Sequence, residues 1–301
     1  MNELQLKIQQ MKKEKNAVIL AHFYQPPEIL ECADIIGDSL ELAKRAGTAQ
    51  SDIIVFCGVY FMAESAKILN PSRKVLIPEK DAGCPMANMI SPLGILRLKQ
   101  AHPDAAVVIY VNSNADCKAV SDVTCTSTNA VKVVQAQKND EIIFVPDKNL
   151  GRYVAKQCPD KKFYYYNGCC PIHDAVSEQD VLNAKAAHPE AVFAAHPECQ
   201  PKVLALADFV GSTAQIIEFC KNTDKKEIIV GTEQGIVYKL KSVAPDKIYH
   251  KVKPEFICPD MKKISLQALY DCLEKESYEV TLDEATIKAA RTSLENMLAI
   301  G

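Results

Sequence analysis

Three cysteines, Cys84, Cys170 and Cys258, stand 86 and 88 residues apart, and each closes one copy of a repeating unit. An acidic residue leads an apolar strand at Asp52–Val55, Glu141–Phe144 and Glu227–Val230. An earlier apolar run recurs at Ala17–His22, Ala106–Asn112 and Ala191–His196. The stretch Lys99–Asp104, with its His102-Pro103 pair, is echoed by Lys185–Glu190 with His188-Pro189. A period this long exceeds the roughly 20–50 residues of a solenoid repeat and fits a small domain. A chain built from three copies of one domain brings equivalent residues to equivalent places around a pseudo-threefold axis. Three thiols therefore fall together, and they make half of a metal site.

Within each copy, short runs rich in Val and Ile alternate with helical stretches. Continuous apolar strands separated by helices argue parallel βαβ units covered on both faces. In the first copy the pattern predicts helices at 1–15, 39–46 and 62–69 and strands at 17–22, 53–57 and 74–77. The expected fold is α/β: three pseudo-symmetric αβα sandwich modules with short parallel sheets, covering 1–87, 88–174 and 175–263. Their common interface is the expected active site, because such sheets take ligands beyond the carboxyl ends of their strands. Two further helical stretches, 266–275 and 282–298, fall in a tail (264–301) expected to pack back on the first module.

Bulk composition narrows the function class. A hydrophobic content of 48% over 301 residues is ample for real cores. The formal net charge of −3 and the scattered basic residues point away from nucleic acid and from an anionic membrane surface. The first 16 residues lack the apolar core of a signal peptide, and no apolar run reaches the ~18 residues of a membrane span. A cytoplasmic location follows as the expectation. There the twelve cysteines serve as metal ligands, nucleophiles or core filler more readily than as disulfides. Cys57 and Cys220, on apolar segments, read as filler.

No short C-x-x-C pair occurs, so zinc knuckles and ferredoxin runs are excluded. Three thiolates leave one ligand missing for either zinc or a four-iron cluster. Catalytic zinc fits such a set, but three soft ligands on a threefold axis suit a cubane with one unligated iron, a Lewis acid for oxygen ligands. Spacing alone does not separate Cys169 from Cys170, since 85 serves as well as 86.

Polar clusters follow the first strand of each copy: His22 with Tyr24 and Gln25, Tyr110 with Asn112 and Ser113, and His196 with Glu198. Hydroxyl residues open the next helix at Ser39, at Ser127 with Thr128, and at Ser212 with Thr213. As N-caps they need no further explanation. As inward-facing helix N-termini they would also suit a substrate with several carboxylates or a phosphate. His173, three residues after Cys170, is a candidate substrate contact or a support for the site.

These residues form a familiar series. Ala21-His22-Phe23-Tyr24-Gln25, Gly37-Asp38-Ser39-Leu40, Gly83-Cys84-Pro85-Met86, Tyr110-Val111-Asn112-Ser113, Gly168-Cys169-Cys170-Pro171-Ile172-His173, His196-Pro197-Glu198-Cys199, Gly211-Ser212-Thr213 and Cys258-Pro259-Asp260-Met261 run in order through nearly the whole chain. The chain resembles the quinolinate synthase A family, iron–sulfur enzymes of NAD biosynthesis. The family's G-x-C-x-x-H pattern selects Cys170 over Cys169. The resemblance implies one [4Fe–4S] cluster per chain on Cys84, Cys170 and Cys258, with one iron open. It implies condensation of iminoaspartate with dihydroxyacetone phosphate to quinolinate, with loss of phosphate and two waters. A supplier of iminoaspartate, an aspartate oxidase or dehydrogenase, is implied as a functional partner.

In that chemistry Glu198 is expected as the base, Tyr24 as the proton donor or acceptor at the triose carbonyl, and Tyr110 as a further acid–base group. His22 and His196 are expected to hold substrate carboxylates, and Ser39, Asn112, Ser127, Ser212 and Thr213 to bind the anionic groups. The runner-up is another open-iron [4Fe–4S] hydro-lyase acting on a small carboxylic acid. A metal-dependent sensor is the non-enzyme alternative, disfavoured by so many His, Tyr, Ser and Glu at the centre.

Overall fold

In a computed structural model, residues 2–301 are described, and they form three successive α/β units. The first holds α1 (Glu3–Glu14), β1 (Ala17–His22), α2 (Pro27–Leu30), β2 (Ile35–Gly37), α3 (Ser39–Gly47), β3 (Ile53–Cys57), α4 (Tyr60–Leu69) and β4 (Lys74–Leu76). The second holds α5 (Pro92–Ala101), β5 (Ala106–Tyr110), α6 (Ala115–Ala119), β6 (Val123–Cys125), α7 (Ala130–Ala136), β7 (Glu141–Val145), α8 (Lys148–Gln157) and β8 (Lys162–Tyr165). The short α9 (Pro171–Asp174) leads into the third, with α10 (Glu178–Ala187), β9 (Val192–Ala195), α11 (Pro201–Leu204), β10 (Phe209–Val210), α12 (Thr213–Asn222), β11 (Glu227–Gly231), α13 (Ile236–Val243) and β12 (Ile248–Lys251). The tail adds α14 (Leu266–Lys275) and α15 (Glu284–Ile300).

Each sheet has four strands, every pairing is parallel, and the order is the same three times: β2-β1-β3-β4, β6-β5-β7-β8 and β10-β9-β11-β12. The expected architecture of three parallel αβα units is therefore present. Local chemistry sets the ends. Asn2 with Gln5, Ser177 with Asp180 and Ser212 with Gln215 form reciprocal caps that fix the starts of α1, α10 and α12.

The cores explain why the sheets meet. Ile54, Ile142 and Ile228, at matching places in β3, β7 and β11, are wholly buried in one continuous core shared by all three modules. Each such side chain contributes about 1.5–3 kcal/mol relative to exposure. The opposite face of each sheet has a separate core of its own. In the tail, α14 packs on α1, but α15 lies across α4 of the first module and α6, α7 and β6 of the second. The tail thus touches both the first and the second module. Residues 278–280 also run along β4: Glu279 bridges Leu76, and the Val280 amide donates to the Val75 carbonyl at 2.8 Å.

Candidate active site

In every sheet the first strand of the module lies between the second and third, so the chain leaves it first to one side and then to the other. The carboxyl ends of such a pair flank the crevice where α/β sheets take ligands. Here three of these crevices face one another. Pairing register makes the equivalences explicit. Ala21 faces Cys57, Ile109 faces Val145 and Ala195 faces Gly231, so His22, Tyr110 and His196 stand at one position and Tyr24, Asn112 and Glu198 at another.

These six side chains line one polar cavity of about 50 Å³, together with Ser39, Ser127 and Thr213. By the same register the last three are equivalents, each two residues beyond Gly37, Cys125 or Gly211. Ser212 does not line it. Its hydroxyl is fully buried, caps α12 by accepting from the Gln215 amide, and meets the Thr128 hydroxyl at 2.8 Å. The helix starts also differ from the pattern predicted by sequence. Asp38, not Ser39, caps α3, because its carboxylate accepts the amides of Leu40 and Glu41 at 3.1 and 2.9 Å. Ser127 sits in a turn ahead of α7, where Asn129 Oδ1 takes the Thr126 amide at 2.8 Å. Only Ser212 of the three serines is a cap. The Thr128 hydroxyl has one proton; it donates to Asp38 at 2.7 Å and accepts from Ser212, clasping all three modules.

A second, more apolar cavity of about 70 Å³ adjoins the first and shares Tyr24, Asn112, Glu198 and Met261 with it. Cys84, Cys170 and Cys258 all line it, whereas Cys169 does not. Each of the three is followed by proline and opens a helical turn: Ala87–Met89, α9 and Asp260–Lys262. Proline suits the first turn of a helix, and the turn aims amides back at the residue before it. The sulfurs accept from the amides of Ala87 and Met86, of His173, and of Met261 and Asp260. Two of the loops are tied down from below. Asp147 Oδ2 accepts the Cys170 amide at 3.0 Å, and Glu233 Oε1 accepts that of Cys258 at 3.4 Å. Gly168 is required there, since a Cβ would lie 2.7 Å from the Pro146 carbonyl oxygen. Burial pushes the thiols up, that of Cys84 to about 12. Three soft donors in a largely apolar cavity, each with N–H groups aimed at sulfur, fit an iron–sulfur cluster. Cys170, His173 and Glu198 also form a compact set of potential metal donors within 4.8 Å of one another.

A chain of hydrogen bonds joins the two cavities. His173 Nδ1 lies 2.8 Å from Glu198 Oε2 and 3.2 Å from Cys170 Sγ. Its Nε2 is 3.0 Å from the Thr232 hydroxyl, which lies 2.7 Å from the Tyr24 hydroxyl; Tyr24 in turn meets Thr213 at 2.8 Å. His22 and His196 each accept a backbone amide at Nδ1, from Tyr24 at 3.2 Å and Glu198 at 3.3 Å. Burial drives both imidazoles down to about 3, so they are neutral, with the proton on Nε2. Burial would raise Glu198, but His173 and the hydrogen bond from the Tyr110 hydroxyl hold it down at about 2. Burial keeps Tyr24 and Tyr110 well above the ordinary range, and both are neutral phenols. Asn112 Oδ1 is buried with no partner, on a side chain that lines both cavities.

Sequence reasoning missed Thr232, Asp147 and Glu233. All follow the third strand of a module, Asp147 and Glu233 at places equivalent by register with Thr232 one residue earlier, and that position was the available signal. It also missed Lys118. This side chain is fully buried, donates to the carbonyls of Val111 (2.9 Å) and Ser113, and is lowered to about 8 by burial. It braces the turn that presents Asn112.

A family model described as "Quinolinate synthetase A protein" matches residues 6–299. The chain belongs to the quinolinate synthase A family. Relatives named quinolinate synthase include one from Caldicellulosiruptor saccharolyticus, 50% identical over 298 residues, covering 99% of this chain and 98% of that protein. Another, from a Sulfurihydrogenibium species, is 52% identical over 306 residues and covers 99% of each chain. A third, from Alkaliphilus metalliredigens, is 48% identical over 302 residues with both chains fully covered. Quinolinate synthase relatives and this chain therefore match end to end, through all three modules and the tail. No helix among the described residues is long and apolar enough to cross a membrane.

Proposed function

We propose that this chain is a quinolinate synthase of the cytoplasm that condenses iminoaspartate with dihydroxyacetone phosphate, releasing phosphate and two waters. The observation that carries the reading is the shared wall between cavities: Cys84, Cys170 and Cys258 line one, eleven polar side chains from three modules line the other, and Tyr24, Asn112 and Glu198 belong to both. A [4Fe–4S] cluster on the three cysteines would supply an open, Lewis-acidic iron for binding substrate oxygen and aiding dehydration.

The protein's own groups divide the remaining work. Neutral His22 and His196, with Nδ1 taken by backbone, present Nε2–H donors to substrate carboxylates. The hydroxyls of Ser39, Ser127 and Thr213 and the side-chain NH2 of Asn112 bind the anionic ends, while Ser212 holds α12 in place behind Thr213. Glu198, ionised at neutral pH, is the base, and Tyr110 hydrogen-bonds to it. Tyr24 is the proton donor at the triose carbonyl, and Thr232 and His173 connect it to Glu198 for proton return. Iminoaspartate would come from an enzyme that oxidises aspartate.

Anaerobic purification with iron and sulfide counting is the test of the cofactor. About four of each per chain is expected, with quinolinate formed from the two substrates. One zinc per chain and no sulfide would overturn it. For the relay, Tyr24→Phe is expected to keep full iron content and lose turnover by about 10²-fold or more; full turnover would remove Tyr24 from the chemistry.

A further inference from the structure

The outer end of the third module, away from the cysteines, carries a second group of metal-donor side chains. His188, Glu227 and His250 place one donor atom each within 4.8 Å of one another. His250 Nε2 lies 2.8 Å from Glu227 Oε2, and the His188 and His250 rings stack with centroids 3.4 Å apart and planes inclined by 14°. We infer that these three residues bind one divalent transition-metal ion of the zinc class.

The second module supplies an internal control. His102 ends α5 as His188 ends α10, with the same backbone angles of φ −135° and ψ 70°. Tyr164 faces Ile143 as His250 faces Ile229, and Glu141 leads β7 as Glu227 leads β11. The His102 and Tyr164 rings stack at 3.4 Å and 15°, and the Tyr164 hydroxyl donates to Glu141 at 3.1 Å. One scaffold thus carries a phenol in one module and an imidazole in the next. A neutral phenol is a poor ligand for zinc, while two imidazoles and a carboxylate are the donor set of many three-ligand zinc sites.

The fit can be judged by size. Donors around one tetrahedral zinc at about 2.0–2.2 Å stand about 3.3 Å apart. The ion takes the place of the proton that His250 and Glu227 now share, and His188 turns about its Cβ–Cγ bond to bring its lone pair out of the stack. Side-chain exposures of 17% for His250 and 33% for Glu227 leave an entry path and room for a water as fourth ligand. His188 lies at the C-terminus of α10, where the helix dipole favours a cation.

The test uses the full chain, purified anaerobically, equilibrated with zinc alone and dialysed, with zinc and iron counted together. Wild type is expected to hold about one zinc per chain more than His250→Tyr or His188→Gln, at equal iron. Affinity should fall by more than the roughly 10–100-fold that outer-shell changes cost. Zinc should raise the melting temperature of wild type only. His250→Tyr installs the second module's own residue, so a near wild-type melt without zinc is expected; should it misfold, His188→Gln carries the comparison. Equal zinc in wild type and the folded variant, or an equal zinc-dependent rise in melting temperature, overturns the site.

Discussion

The second module differs from the first and third where it meets the centre. In the first and third, a histidine at or just past the end of the module's first strand has its Nδ1 taken by the amide two residues on. The second has Tyr110 there, and six residues beyond the position shared by Tyr24, Asn112 and Glu198 it carries buried Lys118 where its sisters carry Leu30 and Leu204. Strand order and pairing register are the same three times, so the difference at these positions lies in the side chains. Threefold repetition fixes where side chains point, and substitution at fixed points then makes an asymmetric chamber for asymmetric substrates.

Exchanging residues between modules breaks that comparison in a controlled way. Glu198→Gln gives the third module the carboxamide that the second already has at Asn112. Turnover is expected to fall by about 10²–10⁴-fold while the iron content stays, since the amide keeps the shape and loses the base; anaerobic assay beside iron analysis reads both. Lys118→Leu writes the first module's residue into the second. It leaves the Ser113 carbonyl bare, while the Val111 carbonyl keeps the Ser113 amide, and a buried unpaired group costs about 1–3 kcal/mol, measurable by denaturant unfolding.

The smallest effect concerns a tie that only the first module has. Glu276 meets Lys15 at 2.7 Å and Lys74 at 2.6 Å, and these hydrogen bonds hold its carboxyl at about 2 rather than its ordinary 4.5. A carboxyl depressed on folding stabilises the fold fully above the unfolded value, and the contribution is lost as pH falls from about 4.5 through 2. Glu276→Gln is therefore expected to melt slightly below wild type at pH 6, with the gap closing towards pH 2–3 in thermal scans.

Much of this was legible in the residues because buried parallel strands announce themselves as unbroken apolar runs. The predicted strands at 17–22 and 53–57 match β1 and β3, and the strand at 74–77 runs one residue past β4. Helix starts were harder. Ser39 looks like a cap, but the carboxylate of Asp38 beside it accepts two amides and wins the position. Ser212 was aligned with Ser39, although strand pairing makes Thr213 the equivalent, and register is invisible without the sheet. The gathering of His22, Tyr110 and His196 could be read from the repeat. The relay through His173 and Thr232 could not, because it joins residues 59 apart through side-chain geometry alone. The proline after each of Cys84, Cys170 and Cys258 was in plain view, but its meaning lies in the amides it turns towards sulfur.

The run of residues 278–280 along β4 has a consequence for how the chain is made. Val280 closes an edge of a sheet whose own strand ends at Leu76, so the seal is 204 residues later in the chain (280 − 76). At about 5–20 residues per second, that edge waits roughly 10–40 s during synthesis with its backbone groups unpaired. An open edge is a template for a neighbouring nascent chain. The first module of this protein is thus the earliest to be made, yet its β4 edge stays open until the tail arrives.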